Sequence, residues 1–170
     1  MTSKRLVSLI AYLCLAGGNG AWAQQAGNGI DNPDWQEEQA SPPPDFSKDR
    51  VVPIEMPGHV SLKVGVDSNT IVVGHDGVVR YVIVMVNASG SVNAVYEGIR
   101  CASSEVKTYA RWSASGSWNM VNDPQWKNFS DNMPSRHAQA FAKQGACENR
   151  MTASKTDILR ALKSPMKISF

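Results

Sequence analysis

The apolar residues between positions 60 and 113 recur with the two-residue period that is typical of β-strands. β-branched residues are frequent there, and short polar breaks divide the region. The predicted strands cover residues 60–66, 70–73, 78–87, 91–101 and 105–113. Because the breaks at 88–90 and 102–104 have the length and composition of hairpin loops, the last three strands are expected to form an antiparallel meander.

Beyond residue 120 the pattern becomes helical. The predicted helical segments are a short turn over 123–126, a helix over about 134–144 and a helix from 154 that ends before Pro165. Ser154 and Asp157 form a capping box for the last helix. Strands followed by helices indicate an α+β fold, with an antiparallel β-meander of about four to five strands and C-terminal helices packed on one face.

The two hairpin loops also determine which residues face each other. Tyr81 is expected opposite Glu97 on the next strand, and Tyr109 opposite Glu97 on the strand after it. The face expected to receive the helices is apolar and carries Val82, Val84, Val86, Val92, Ala94, Tyr96, Gly98, Val106, Thr108, Ala110 and Trp112. The other face is mixed, and its candidate binding residues are Tyr81, Glu97, Lys107, Tyr109 and Arg111.

This mixed face has two interpretations. Aromatic walls around a carboxylate, with cations beside it, are suited to recognition of a partner. Alternatively, these residues are ordinary cross-strand pairs on a solvated face, each contributing roughly 0.2 to 1 kcal/mol. The sequence leaves both open.

Arg80 and Arg100 are expected at one end of the apolar face, near Gly98. A buried guanidinium needs a partner. The two arginines are therefore candidates either for binding an anion such as phosphate or carboxylate, or for structural pairing with Asp76, Glu97 or a helix C-terminus.

The N-terminus has the three regions of a secretory signal peptide. Lys4 and Arg5 precede an apolar segment at 6–16, and an Ala-Trp-Ala triplet at 21–23 supplies the cleavage pattern. The expected organisation is a signal peptide at 1–23, a flexible Pro-rich linker at 24–50, a single α+β domain at 51–165 and a tail at 166–170. Trp35 within the linker is expected to be a loosely packed aromatic residue; the alternative is that it docks onto the domain or a partner. The protein is expected in the periplasm.

Cys14 lies in the leader, which leaves Cys101 and Cys147 in the exported chain. Paired thiols in an oxidising compartment are normally disulfides, so these two are expected to be bonded. Their separation does not fit a CxxC redox pair, and the dispersed histidines do not complete a zinc site.

Charge gives little indication of the partner. Of 17 Lys and Arg residues, Lys4 and Arg5 lie in the leader, so 15 remain against 15 Asp and Glu. A neutral chain lacks the basic footprint of a nucleic-acid binder, and no apolar run of the exported chain is long enough to span a membrane.

The sequence contains no nucleophile elbow, phosphate loop, paired-histidine metal helix or calcium loop, so no catalytic residue, cofactor or metal is predicted. His75 is expected in a turn and His137 on the surface of a helix. A catalytic site assembled from distant residues stays open.

Several short segments of the sequence are similar to those of a known protein family. DGVVRY at 76–81, YEGIRC at 96–101, EVKTYA at 105–110, Trp118, DPQW at 123–126 and Cys147 resemble the cryptic neisserial protein family of secreted bacterial proteins. The likeness covers about residues 51–147 and implies an exported protein, but it brings no activity, cofactor or catalytic residue with it.

The expected function is that of a non-catalytic periplasmic envelope protein, which binds an envelope protein or a glycan through the mixed sheet face or the Pro-rich segment. The alternative is a small periplasmic hydrolase with a site assembled from distant residues.

Overall fold

The computed structural model describes residues 32–58, 60–131 and 136–164. Its centre is an eight-stranded antiparallel sheet in the order β1-β2-β4-β5-β6-β7, with β3 also paired to β4 and β8 to β6. The strands are β1 (Val51–Pro53), β2 (Lys63–Asp67), β3 (Val72–Val73), β4 (Val78–Val86), β5 (Val92–Arg100), β6 (Glu105–Trp112), β7 (Trp118–Met120) and β8 (Lys127–Asn128). The α+β class and the meander are confirmed, with more strands than predicted.

The C-terminal part forms a helical layer. It consists of α1 (His137–Phe141), a wider helical turn (Ala142–Ala146), the small sheet of β9 (Cys147–Glu148) and β10 (Met151–Thr152), and α2 (Lys155–Lys163). Ser154 caps α2 as predicted, since its hydroxyl accepts the Asp157 N–H at 3.2 Å. No helix of the described ranges is long and apolar enough to cross a membrane.

The predicted helical turn at 123–126 is wrong. Asp123 has a φ of 50°, in the left-handed region, and the chain then extends into β8, which pairs with β6. Pairing with the sheet therefore overrides the local Asp-Pro signal. Residues 132–135, where the next helix was expected to begin, lie outside the described residues, and α1 begins at His137.

The predicted register of β4 and β5 is confirmed, since Tyr81 lies opposite Glu97. Between β5 and β6 the predicted register holds at Tyr96 but shifts by one residue between Tyr96 and Glu97. Thr108, and not Tyr109, therefore lies opposite Glu97. Because Tyr109 is the extra residue of this bulge, residues 105–108 of β6 lie on the face opposite to the one predicted, whereas Ala110 and Arg111 keep theirs.

The predicted assignment of the two sheet faces is wrong. The helical layer covers the face of Tyr81, Ile83 and Glu97, which we call the helix face, and Phe141 packs 4.5 Å from Tyr81 between ring centroids. The other face, with Val82 and Val84, is covered by N-terminal residues and is called the arm face. Both faces carry enough apolar residues to be buried, so hydrophobicity alone did not distinguish them.

Residues 32–50, called the arm, lie on the sheet, which corrects the expectation of a solvated linker for this part of the chain. Phe46 packs at 5.1 Å from Trp112 and 5.7 Å from Trp118 between ring centroids, and Arg50 forms a 2.8 Å ion pair with buried Asp67. Phe46 and Arg50, which follow the three prolines at 42–44, thus hold the C-terminal part of the arm on the sheet. The expected leader at 1–23 and tail at 166–170 lie outside the described residues.

The Cys101–Cys147 disulfide is confirmed, with the two Cα atoms 5.6 Å apart. Cys101 directly follows β5, and Cys147 begins β9 beside the helical turn. The bond therefore joins the central sheet to the helical layer.

Candidate functional site

The five residues predicted to share one open face are separated in the structure. Tyr81 and Glu97 are buried beneath the helical layer, whereas Lys107 and Tyr109 lie on the arm face and contact the arm. Arg111 is exposed. The bulge in β6 and the two covers of the sheet cause this separation, so the predicted shallow surface does not exist as one face.

Glu97 is the centre of a buried polar cluster on the helix face. Its Oε2 lies 2.8 Å from Nε2 of His137 and accepts a 3.2 Å hydrogen bond from the Tyr81 hydroxyl. Its Oε1 accepts a 3.1 Å hydrogen bond from the Thr108 hydroxyl. Glu97 is 1% exposed and His137 is 7% exposed, so the expectation that His137 lies on the surface is wrong.

The electrostatics of this cluster favour an ion pair. Burial alone would raise the pKa of Glu97, but His137, Thr108 and Tyr81 together lower it below its ordinary value. Burial would likewise lower the pKa of His137, but Glu97 raises it overall. Burial and the neighbouring Glu97 raise the pKa of Tyr81 well above its ordinary range, so its hydroxyl stays a donor.

The buried carboxylate of Glu97 already has hydrogen-bond partners on both oxygens, so it has no need of a further ligand. The cavity beside His137 holds only about 10 Å³. The cluster therefore acts chemically as a brace between β5 and α1. The Tyr81 and Glu97 pairing is visible in the sequence, but His137 is 40 residues away from Glu97, and no local pattern predicts their contact.

A second polar cluster lies on the arm face, where β4, β5 and β6 surround the start of the arm. We call it the arm site, and it consists of Asp76, Arg80, Arg100, Lys107, Tyr109 and Trp126. Two arm residues, Trp35 and Glu37, occupy it.

The carboxylate of Glu37 is bound by three donors. Lys107 donates to Oε2 at 2.8 Å and the Tyr109 hydroxyl donates to Oε1 at 2.7 Å. The indole N–H of Trp126 donates to Oε2 at 3.1 Å. Arg80 lies 3.9 Å away and adds positive charge. The side chains of Glu37 and Lys107 are only 18% and 16% exposed, so these charge-assisted bonds form largely out of water.

The backbone of the arm is bound beside this carboxylate. The Glu38 N–H donates to Oδ2 of Asp76 at 3.0 Å, and Nη2 of Arg80 donates to the Glu38 carbonyl oxygen at 2.8 Å. Arg80 and Asp76 also form a 2.7 Å ion pair, which is one of the structural pairings expected for Arg80. Burial alone would raise the pKa of Asp76, but Arg80 and two backbone N–H groups lower it overall, so Asp76 is a charged acceptor.

Trp35 occupies the outer part of the arm site. Its ring lies under the Arg100 guanidinium at 3.7 Å and edge-on to Trp126 at 5.9 Å between ring centroids. Its indole N–H donates to the Asp76 carbonyl oxygen at 2.8 Å. Arg100 also approaches Glu105 at 4.0 Å. The cation–π contact with Arg100 holds the face of the ring, and the T-shaped contact with Trp126 fixes its orientation.

Local sequence explains why these side chains converge. Gly77, with a φ of 77°, closes the turn before β4, and Asp76 accepts the Val78 N–H at 3.1 Å, which aims its carboxylate at Arg80 four residues on. On β5, Gly98 leaves the space that the Tyr109 ring occupies, because a Cβ at Gly98 would lie 2.6 Å from the Tyr109 hydroxyl.

The sequence signals for this site were incomplete. Lys107, Tyr109, Arg80 and Arg100 were candidates, but on two different predicted faces. The structure brings them together because of the bulge. Trp35 is a docking candidate in the sequence, but Glu37 and Trp126 are not predicted to be site residues. The acidic Trp-Gln-Glu-Glu segment inside a Pro-rich stretch is the signal that points to Glu37.

Two further clefts are open to solvent. One of about 440 Å³ lies beside the disulfide, and one of about 410 Å³ is an apolar cleft near β1 and β2. Among the described residues, no three His, Cys, Asp or Glu side chains gather where they could hold a metal ion. The arm site differs from both clefts in that three donors converge on one carboxylate there.

Comparison with known proteins gives one match. The model of the CNP1-like family matches residues 30–163, a stretch that includes the arm, the sheet and the helical layer. No curated protein and no solved structure matches the chain.

Proposed function

Because the chain belongs to the CNP1-like family, whose matched region contains the arm together with the sheet, we propose that it is a non-catalytic protein of the bacterial periplasm. It binds another envelope component by a carboxylate group seated in the arm site. The observation that carries this proposal is the set of three donors, Lys107, Tyr109 and Trp126, that converge on one carboxylate.

The arm site recognises a chemical group and not only its own chain. A carboxylate at the position of Glu37 receives hydrogen bonds from an ammonium, a phenol and an indole, with a guanidinium 3.9 Å away. Such bonds are roughly twice as strong as neutral ones. A carboxylate from an envelope protein or an acidic glycan obtains the same contacts when Glu37 withdraws.

Location is the second part of the proposal. The leader pattern at 1–23, the bonded pair Cys101 and Cys147, and the resemblance to the cryptic neisserial proteins support export. Fractionation of producing cells is expected to place the protein in the periplasm, with a mature N-terminus at Gln24. Recovery in the cytosol with Met1 intact would contradict the location.

A hydrolase is the second candidate, because His137 and Glu97 meet from positions 40 residues apart at 2.8 Å. In this pair, however, Nε2 of His137 faces Glu97, and the carboxylate is bonded on both oxygens. Ester or amide turnover that is lost in His137→Gln, with the fold intact, would favour the hydrolase over the binding protein.

Carboxylate binding is tested by chemical rescue. Glu37→Ala removes the resident carboxylate from the arm site, and acetate is expected to raise the melting temperature of this variant above that in chloride at equal ionic strength. Glu38→Ala is the matched control, because no hydrogen bond to the Glu38 carboxylate is found within the described ranges. An acetate effect of equal size in both variants and in the wild type would overturn the proposal.

A further inference from the structure

We propose that the arm site is a peptide-binding site, whose ligand is an extended acidic segment of another protein with an aromatic residue two positions before the acid. This inference rests on the proposed function and specifies its ligand class. Residues 35–38 of the arm are then the chain's own occupant of a site that also receives a partner.

The arm site binds a peptide backbone as well as side chains. Asp76 accepts the N–H of Glu38 at 3.0 Å, and Arg80 donates to the carbonyl oxygen of the same residue at 2.8 Å. The salt bridge between Asp76 and Arg80 holds this acceptor and this donor side by side. A single amino acid residue in an extended chain offers the complementary N–H and C=O, whereas a small carboxylic acid or an acidic glycan without amide groups lacks that pair.

The two side-chain pockets of the arm site are spaced to accept residues two positions apart. Trp35 lies on Arg100, and Glu37 lies between Lys107 and Tyr109. Positions i and i+2 of an extended chain point to the same side. Trp126 borders both pockets, since its ring contacts Trp35 and its indole N–H donates to Glu37. The site therefore selects an aromatic residue and an acid separated by one residue.

The arm is attached to the sheet at two separate places. Residues 35–47 form neither helix nor strand, so the side-chain contacts at the arm site and the packing of Phe46 further along hold this stretch. Three consecutive prolines at 42–44 separate these two anchors and keep the intervening chain extended. The Trp35 end can thus leave the sheet while Phe46 stays packed.

The tethered arm competes with any free ligand. Attachment gives it an effective concentration in the millimolar range, so a partner must bind more tightly than the arm or reach the site when the arm is weakened. In a variant whose arm binds the arm site less tightly, the measured affinity for an added peptide should therefore approach the affinity of the unoccupied site.

The experiment uses the full chain carrying Glu37→Gln and a fluorescent peptide with the sequence of residues 32–40. Anisotropy is expected to show binding at least about tenfold tighter than to the wild-type chain, because the resident arm has lost its charged contact. A peptide with Gln for Glu37 should bind about tenfold more weakly. A peptide with Gln for Glu38 is the matched control and should bind like the parent.

Backbone recognition is tested by methylating the Glu38 amide nitrogen of the peptide, which removes the donor to Asp76. A loss of about tenfold or more supports the inference. If Glu37→Gln impairs folding, as judged by circular dichroism, the Trp35→Ala chain takes its place, and the same ranking of peptides is expected.

The outcomes separate the two proposals. Binding of acetate or of a polygalacturonate oligomer without binding of the peptide, or equal binding of the methylated peptide, would overturn the peptide inference and leave carboxylate recognition standing. Absence of binding by the peptide, acetate and polygalacturonate alike would overturn both.

Discussion

Nε2 of His137 lies 2.8 Å from Oε2 of Glu97, and this contact joins the helical layer to the centre of the sheet. Removing one partner of a buried ion pair leaves an uncompensated charge and costs about 3–5 kcal/mol. Glu97→Ala is therefore expected to lower the free energy of unfolding by about that amount in a denaturant titration. Glu55→Ala, at an exposed position, should change it by less than about 0.5 kcal/mol. Similar small losses in both variants would place Glu97 on a solvated face.

The same pair gives the stability a characteristic pH dependence. The pKa of His137 is raised, so its contribution is complete below its ordinary value of about 6.5 and is lost as the pH rises through the raised pKa. The pKa of Glu97 is lowered, so its contribution is complete above about 4.5 and is lost as the pH falls through the lowered pKa. Arg111 opposes the protonation of His137 without reversing the shift.

The stability difference between the wild type and His137→Gln should consequently be largest between about pH 4.5 and 6.5. Unfolding titrations across the pH range measure it directly. A difference that grows as the pH rises towards about 6.5 and then levels off would show that the histidine is neutral in the folded protein.

The contrast between the two hairpins shows what the sequence can and cannot predict. The loop at 88–90 gave the correct pairing of Tyr81 with Glu97, because turn length determines register. The pairing of Tyr109 was wrong, because the bulge at Tyr96 and Glu97 has no local signature. A one-residue shift was sufficient to divide the predicted binding face.

The face assignment failed for a different reason. Val82 and Val84 form an apolar face, and the prediction that it is buried was right, but Phe46 and its neighbours in the arm cover it in place of the helices. The two-residue hydrophobic pattern of a strand shows that a face is buried, but it does not show which distant segment covers that face. The arm site could not be predicted for the same reason, since its occupant lies about 70 residues from Lys107 and Tyr109.

The disulfide should contribute a large share of the stability. Cys101 and Cys147 are separated by 46 residues. Closing a loop of this size lowers the conformational entropy of the unfolded chain, which stabilises the folded state by about 4 kcal/mol. Cys101→Ser is expected to lower the melting temperature by the amount that reductant lowers it in the wild type. Reductant should have no further effect on the variant. Equal melting temperatures of the wild type with and without reductant would contradict the bond.

Gly98 is expected to be needed for the arm site itself. A Cβ at this position would lie 2.6 Å from the Tyr109 hydroxyl and 2.9 Å from Val78. Gly98→Ala should displace Tyr109 from Glu37 and cost roughly 1–3 kcal/mol. Gly58→Ala is a matched control, because an added Cβ there meets nothing within 4 Å.

The coupling of Gly98 to Tyr109 is measured by adding Tyr109→Phe, which removes the clashing hydroxyl. The two substitutions together should cost less than the sum of their separate effects, because both act on the same contact. Strictly additive losses would mean that Tyr109 does not respond to Gly98.

Exchange of the arm for a ligand is tested most directly by the indole ¹⁵N–H resonance of Trp35, which donates to the Asp76 carbonyl oxygen. The resonance is assigned with Trp35→Phe, and an unlabelled peptide of residues 32–40 is added to the ¹⁵N-labelled full chain until the signals stop changing. We predict that the Trp35 signal moves to the position of a free indole, while the signals of Trp112 and Trp118 beside Phe46 keep theirs. A Trp35 resonance that stays in place when the peptide is saturating would contradict the proposed exchange.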